Sequence, residues 1–365
     1  MAITAADLMQ ATRLTSQGRL LEATRAIQRA LAGHPEPEAP KPPAAGVADV
    51  TDVTYREVQR PPSDKVSAPS LPAGRSQAAR PSSFLPHSFD FGGERHPYHL
   101  YVPSRSEADG KLPLVVMLHG CKQDAADFAR GTAMNALGEQ EKVLVLYPEQ
   151  LRKANGMGCW NWFEPGHQGR GAGEPAMLAA LVQQVAAEHD ADPARIYVAG
   201  LSAGGAMAAV LGQTYPDVFA AVGIHSGLPA GAAHDMPSAF SAMRKGTGSR
   251  STKAAAVPTI VFHGTADKTV SSKNADAIVD GQLAAWTARG TQLASSKQAQ
   301  GAGARTAACT RWQDGDKKSL LESWSVAASP HAWSGGDASG SFTDPAGPDA
   351  SAQMLRFFLQ HRQRG

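Results

Sequence analysis

The stretch "LPLVVMLHG", residues 112–120, is an unbroken apolar run ending in glycine, and no other feature of the chain constrains its fold as much. A strand with one wet face alternates apolar and polar residues, whereas an uninterrupted run is buried on both faces. The pattern recurs in "KVLVLYPEQ" (142–150), "RIYVAG" (195–200), "FAAVGIHSG" (219–227) and "VPTIVFHG" (257–264). Helical segments separate these runs: "DFARGTAMNALGEQE" (127–141), "EPAMLAALVQQVAAEHD" (174–190) and "GGAMAAVLGQTYP" (204–216). Strands alternating with helices specify an α/β domain with a mostly parallel sheet and helices on both faces. "SFDFGGERHPYHLYVP" (88–103) is expected to fold as a hairpin about Gly92-Gly93, and "RTAACTRWQ" with "LLESWSV" as another about "DGD". A last helix is expected in "DASAQMLRFFLQHRQR" (349–364), capped by Asp349.

Within this frame "YVAGLSAGG" (197–205) places Ser202 between a buried strand and a helix. Gly-x-Ser-x-Gly alone also suits a plain small-residue bend. Between a strand and a helix it describes a sharp turn that lifts the serine oxygen above the sheet. Small neighbours let strand and helix approach, and the helix N-terminus below can stabilise developing negative charge.

A serine hydroxyl needs a base, usually histidine, held by a carboxylate. In the α/β-hydrolase arrangement the chain order is serine, acid, histidine. Beyond Ser202 the histidines are His225, His234, His263, His331 and His361. His225 and His263 leave no suitable acid before them, and His361 lies among arginines on the last helix, where it is expected to be solvated. His331, in "ASPHAWSGG", follows the last strand. Among the intervening acids only Asp267, in "PTIVFHGTADKTV", directly follows a buried strand, and such sites assemble at the carboxyl ends of parallel strands. Ser202, Asp267 and His331 are therefore the expected catalytic residues. The oxyanion donors expected are the backbone N–H of Ala203 and that of Cys121, in the "HGCKQ" loop. His119 is expected to brace that loop.

The rest of the chain is less specific. Residues 1–33 have the apolar spacing of a helical hairpin, and residues 34–83 are a Pro- and Ala-rich stretch expected to be a disordered linker. Residues 84–365 then form the catalytic domain. A net charge of +2 argues against a nucleic-acid partner held by charge, and no apolar run is long enough for a membrane span. No cofactor or metal site is expected. Three cysteines, Cys121, Cys159 and Cys309, are too few for a disulfide framework, and the chain start does not read as a secretory signal. The expected location is the cytoplasm.

Taken together, "LPLVVMLHGCKQD", "GCWNWF", "RIYVAGLSAGGAMA", "VPTIVFHGTADKTV" and "HAWSGG" resemble the polyhydroxybutyrate depolymerase family of esterases, a group related to feruloyl and acetylxylan esterases. The resemblance covers about residues 84–361. It implies the same triad and oxyanion pair, and it implies Trp333, Trp160 and Trp162 as lining for the acyl or alcohol group. It also raises a Cys121–Cys159 bridge, which a reducing cytoplasm would disfavour. Three readings follow: an esterase of short hydroxyalkanoate oligomers or small esters, a feruloyl or acetylxylan esterase, and a protein that contacts a granule or partner through residues 1–33 with secondary hydrolase activity.

Overall fold

The computed structural model describes residues 80–105, 109–247, 254–301 and 304–363. The helical hairpin expected in residues 1–33, and the linker as far as residue 79, lie outside them. Folded structure is already present at Arg80, whose N–H donates to Arg105 O at 2.8 Å, slightly before the expected boundary at 84.

Strands β1 (Ser83–Phe91) and β2 (Glu94–Val102) form the expected hairpin. Gly92 and Gly93 turn it with φ of 61° and 80°, which side chains would strain. Next come β3 (Leu112–Leu118), α1 (Ala125–Thr132), α2 (Met134–Glu141), β4 (Leu144–Pro148), α3 (Gly173–Glu188), β5 (Ala191–Leu201), α4 (Ala203–Thr214) and β6 (Ala221–His225). The helix expected over 127–141 is split at Ala133, which takes a left-handed conformation (φ 51°). The chain continues with α5 (Met236–Lys245), β7 (Thr259–Gly264), α6 (Lys273–Ala288), β8 (Ala294–Gly301), β9 (Thr306–Gln313), β10 (Ser319–Val326), the short β11 (Trp333–Ser334) and β12 (Thr343–Asp344), and α7 (Ala350–Phe358). Helices α5 and α6 and strand β8 occupy stretches to which the sequence reading assigns no element. Asp349 caps α7 as expected, its side chain accepting from Ala352 N at 2.8 Å.

Among the described residues ten strands form one sheet in the order β1-β2-β4-β3-β5-β6-β7-β10-β9-β8. The central strands β4-β3-β5-β6-β7-β10 run parallel. Antiparallel pairs extend it at both edges. The uninterrupted apolar runs now have their reason: alternate residues of β3, β4, β5, β6 and β7 enter two separate cores. Leu114, Val116 and Leu118 pack with α3 and α4 on one face. Val115 and Met117 pack with α1 and α7 on the other. Among the described residues no helix is long and apolar enough to cross a membrane.

His361 departs from expectation: it is 1% exposed. Its ring lies 4.6 Å from that of Phe357, and burial lowers its pKa to about 3. Cys309 is buried in the core, which pushes its thiol up to about 12.

Candidate active site

Ser202 follows β5 directly and begins α4, with φ 58° and ψ −118°, a conformation that non-glycine residues rarely hold. The turn fits because its flanks have no side chains. A Cβ on Gly200 would sit 2.4 Å from Gly204 C, and one on Gly204 would sit 2.1 Å from Leu118 O. The serine side chain makes no capping hydrogen bond to its helix. Its N–H donates to His225 O at 2.9 Å, which fixes the turn to the neighbouring strand β6.

Asp267 stands on the loop after β7 with its side chain out of contact with solvent. Its Oδ1 accepts from Thr269 N at 2.9 Å and Val270 N at 2.8 Å. Its Oδ2 accepts from His331 Nδ1 at 2.7 Å. Burial pushes its pKa up, but the hydrogen bond and charge of His331, the Val270 N–H and the neighbouring His263 outweigh this and hold it below the usual carboxylate value. The carboxylate can only accept, so the His331 proton sits on Nδ1, and Nε2 is left to take another. Strands β5, β6, β7 and β10 are successive neighbours in the sheet, so Ser202, Asp267 and His331 all leave its C-terminal edge.

Backbone contacts join these loops. Thr265 N donates to Val326 O and Ala266 N to Ser329 O, which sets the Asp267 loop against the one leading to His331. His225 spans the other gap: while its carbonyl holds Ser202, its Nε2 accepts from Ser334 N at 3.0 Å. The ring is buried and stacked on Trp333 and Phe262. Burial first, then the nearby His263 and His331, lower its pKa to about 3. His263, also buried, has its Nε2 2.9 Å from Val270 O and steadies the Asp267 turn.

The Gly120 turn lies against the serine, since a Cβ on Gly120 would be 3.6 Å from Ser202 Cβ. Among the described residues the N–H groups of Cys121 and Ala203 donate to no backbone acceptor. His119 braces the turn with both ring nitrogens. Its Nδ1 lies 2.8 Å from Gly120 O, and its Nε2 accepts from Gln150 N at 3.1 Å. Burial lowers its pKa. Cys121 and Cys159 are joined by a disulfide, and Lys122 N donates to Met157 O at 2.8 Å. Gln150 Nε2 donates to Cys159 O at 3.0 Å and also to the buried Glu174, which in turn accepts from Asn161 N.

The three tryptophans expected as lining stand in the packed interior instead. Trp333 is 1% exposed, its ring stacked on His225 and its Nε1 donating to Ser351 Oγ at 3.0 Å. Trp160 is fully buried beside the His119 ring, and Trp162 packs edge-on against Phe163. Both faces of the sheet need large apolar groups near the loops, and these indoles supply them. A cavity of about 1680 Å³ lies among α4, α5, α6 and the start of β7. Ser202, Asp267 and His331 are not in its wall.

The sequence profile described as esterase PHB depolymerase matches residues 96–312, a span that includes Ser202 and Asp267 and ends before His331. A poly(3-hydroxyalkanoate) depolymerase C of Paucimonas lemoignei is 40% identical over 193 residues, 49% of this chain and 46% of its own. A feruloyl esterase B of Neurospora crassa is 34% identical over 142 residues, 38% of this chain and 47% of its own. The chain thus spans about half the length of these curated relatives. Among solved structures, an acetyl xylan esterase from Aspergillus awamori superposes with a TM-score of 0.59 at 19% identity, covering 76% of this chain and 99% of that one. That likeness shows the α/β-hydrolase fold.

Proposed function

Because the chain belongs to the esterase PHB depolymerase family, we propose that it is a serine esterase that works through an acyl-enzyme. Ser202 Oγ attacks the ester carbonyl and gives its proton to His331 Nε2. Asp267 holds the imidazole and offsets the charge it gains. The N–H groups of Cys121 and Ala203 receive the oxyanion. His331 returns the proton to the leaving alcohol, then activates the water that releases the acid. The observation that carries this reading is the His331–Asp267 hydrogen bond, formed on loops that share the sheet edge with a strained, uncapped Ser202.

For the substrate, the depolymerase relative supports short hydroxyalkanoate oligomers or related small esters. The feruloyl esterase relative favours a second reading, removal of acyl groups from carbohydrate. Initial rates on p-nitrophenyl acetate and butyrate, hydroxybutyrate dimers and trimers, and methyl ferulate separate the two. Under the first reading the hydroxybutyrate oligomers have the highest kcat/KM, and a preference for methyl ferulate would replace it with the second. Contact with a granule or partner through residues 1–33 is a separate proposal. Deleting those residues is expected to leave turnover of a soluble ester unchanged while abolishing sedimentation with granules; unchanged sedimentation would count against it.

A further inference from the structure

Within the turn that adjoins Ser202, all but one of the backbone N–H groups from Gly120 to Gln123 are taken. Gly120 N donates to the Gln123 side chain (Oε1) at 2.9 Å. Lys122 N donates to Met157 O at 2.8 Å, and Gln123 N to Gly120 O at 3.3 Å. The N–H of Cys121 is the one left over. The Gln123 side chain takes up the Gly120 N–H, and backbone carbonyls take up the other two.

That side chain is 3% exposed and is held at its other end. Its Nε2 donates to Ser341 O at 3.0 Å and to Asp127 Oδ2 at 3.1 Å, with Ser341 Oγ at 3.3 Å. These partners fix the amide's orientation, because Asp127 and a carbonyl can only accept. Asp127 also accepts from Ser341 N at 3.0 Å and from Ser341 Oγ. Burial raises the Asp127 pKa, but these bonds from Ser341 and Gln123 outweigh it and hold the group ionised. Ser341 precedes Phe342, whose carbonyl accepts from Trp333 N at 2.7 Å, two residues beyond His331. Hydrogen bonds and short lengths of chain thus connect the oxyanion turn to the segment carrying the base.

We infer that Gln123 is a positioning residue that sets the Cys121 N–H for the oxyanion and couples its turn to the His331 segment through Asp127 and Ser341. The inference rests on the serine-esterase reading. An interaction realised only as the oxyanion forms appears in kcat and leaves KM largely alone. Gln123→Glu keeps an acceptor for Gly120 but faces the Asp127 carboxylate with a second one. Adding Asp127→Asn restores an amide–carboxylate pair with the roles exchanged, although the Ser341 carbonyl still meets an acceptor.

The test is steady-state hydrolysis of p-nitrophenyl acetate by the full chain, with melting temperatures measured alongside. Gln123→Glu is expected to lose about ten- to a hundredfold in kcat with KM within about threefold, since removal of a whole oxyanion donor costs more. The Gln123→Glu/Asp127→Asn pair is expected to recover part of that loss, because the Ser341 carbonyl stays without its donor in both variants. A Gln123→Glu enzyme with wild-type kcat, a loss expressed in KM, or a pair no faster than Gln123→Glu alone would overturn the inference and leave the esterase reading standing. A wild type inert towards the ester would overturn both.

Discussion

His331 and Asp267 are 64 residues apart in the chain, yet their Nδ1 and Oδ2 atoms lie 2.7 Å apart. Two further backbone N–H groups hold the same carboxyl on its other oxygen. An amide in its place would offer an NH₂ to the imidazole or lose that contact. Asp267→Asn is therefore expected to lower kcat on p-nitrophenyl acetate by about 10³- to 10⁴-fold, the scale seen when a triad histidine is left in the wrong tautomer. A loss below about tenfold would remove Asp267 from the mechanism.

The Cys121–Cys159 bridge closes a loop of sequence separation 38. On the chain-entropy view, closing such a loop contributes about 4 kcal/mol. It also fastens the turn that carries the Cys121 N–H. The Cys121→Ser/Cys159→Ser pair is expected to melt at a clearly lower temperature and to lose turnover while keeping a free Ser202. Thiol titration of freshly isolated, denatured but unreduced protein should find Cys309 alone. Three free thiols would show that the bridge does not form where the protein works, as a reducing cytoplasm would require.

His225 gives a pH dependence of stability. Burial, with His263 and His331 nearby and Asp267 opposing them, holds it at about 3 in the folded chain against an ordinary value of 6.5. Above pH 6.5 neither state binds this proton. As pH falls below that, the unfolded chain takes it up and the folded chain does not, so stability falls towards pH 3. Each such proton contributes a slope of about 1.4 kcal/mol per pH unit. His119 and His263, lowered mainly by burial, act in the same direction. Denaturant melts between pH 7 and pH 4 should show this decline, and His225→Gln should make it shallower. An unchanged slope in the variant would contradict the assignment.

Gly204 tests the turn itself. Its missing Cβ is the space filled by Leu118 O, so Gly204→Ala must push α4 away from β3 or fail to fold. Loss of soluble protein, or a melting temperature lower by many degrees with turnover gone, is expected. A stable and active Gly204→Ala would mean that the close approach is not needed.

The parallel strands could be read from the sequence because burial on both faces leaves an unmistakable apolar run. The loops carrying Ser202, Asp267 and His331 could be read because each follows such a run, or in the last case a hairpin strand. Strand β8, "ASSKQAQG", could not, since an exposed edge strand needs no apolar face and shows no alternation. The family resemblance implies Trp333 as lining beside His331, but sequence adjacency does not say which way a side chain points, and this one enters the core. His225 lacks an acid partner and so gave no catalytic signal. Its function, bridging two loops through one carbonyl and one ring nitrogen, exists only in three dimensions. Gln123 lies in plain view in "HGCKQ", and its partner Ser341 is 218 residues away.

The most direct test of the central claim is covalent labelling of Ser202 by a fluorophosphonate, read by intact mass and peptide mapping. The wild type is expected to gain one adduct on the peptide carrying Ser202, in step with loss of ester hydrolysis, and Ser202→Ala to gain none. A wild type that hydrolyses esters yet stays unlabelled, or an adduct that persists in Ser202→Ala, would contradict it.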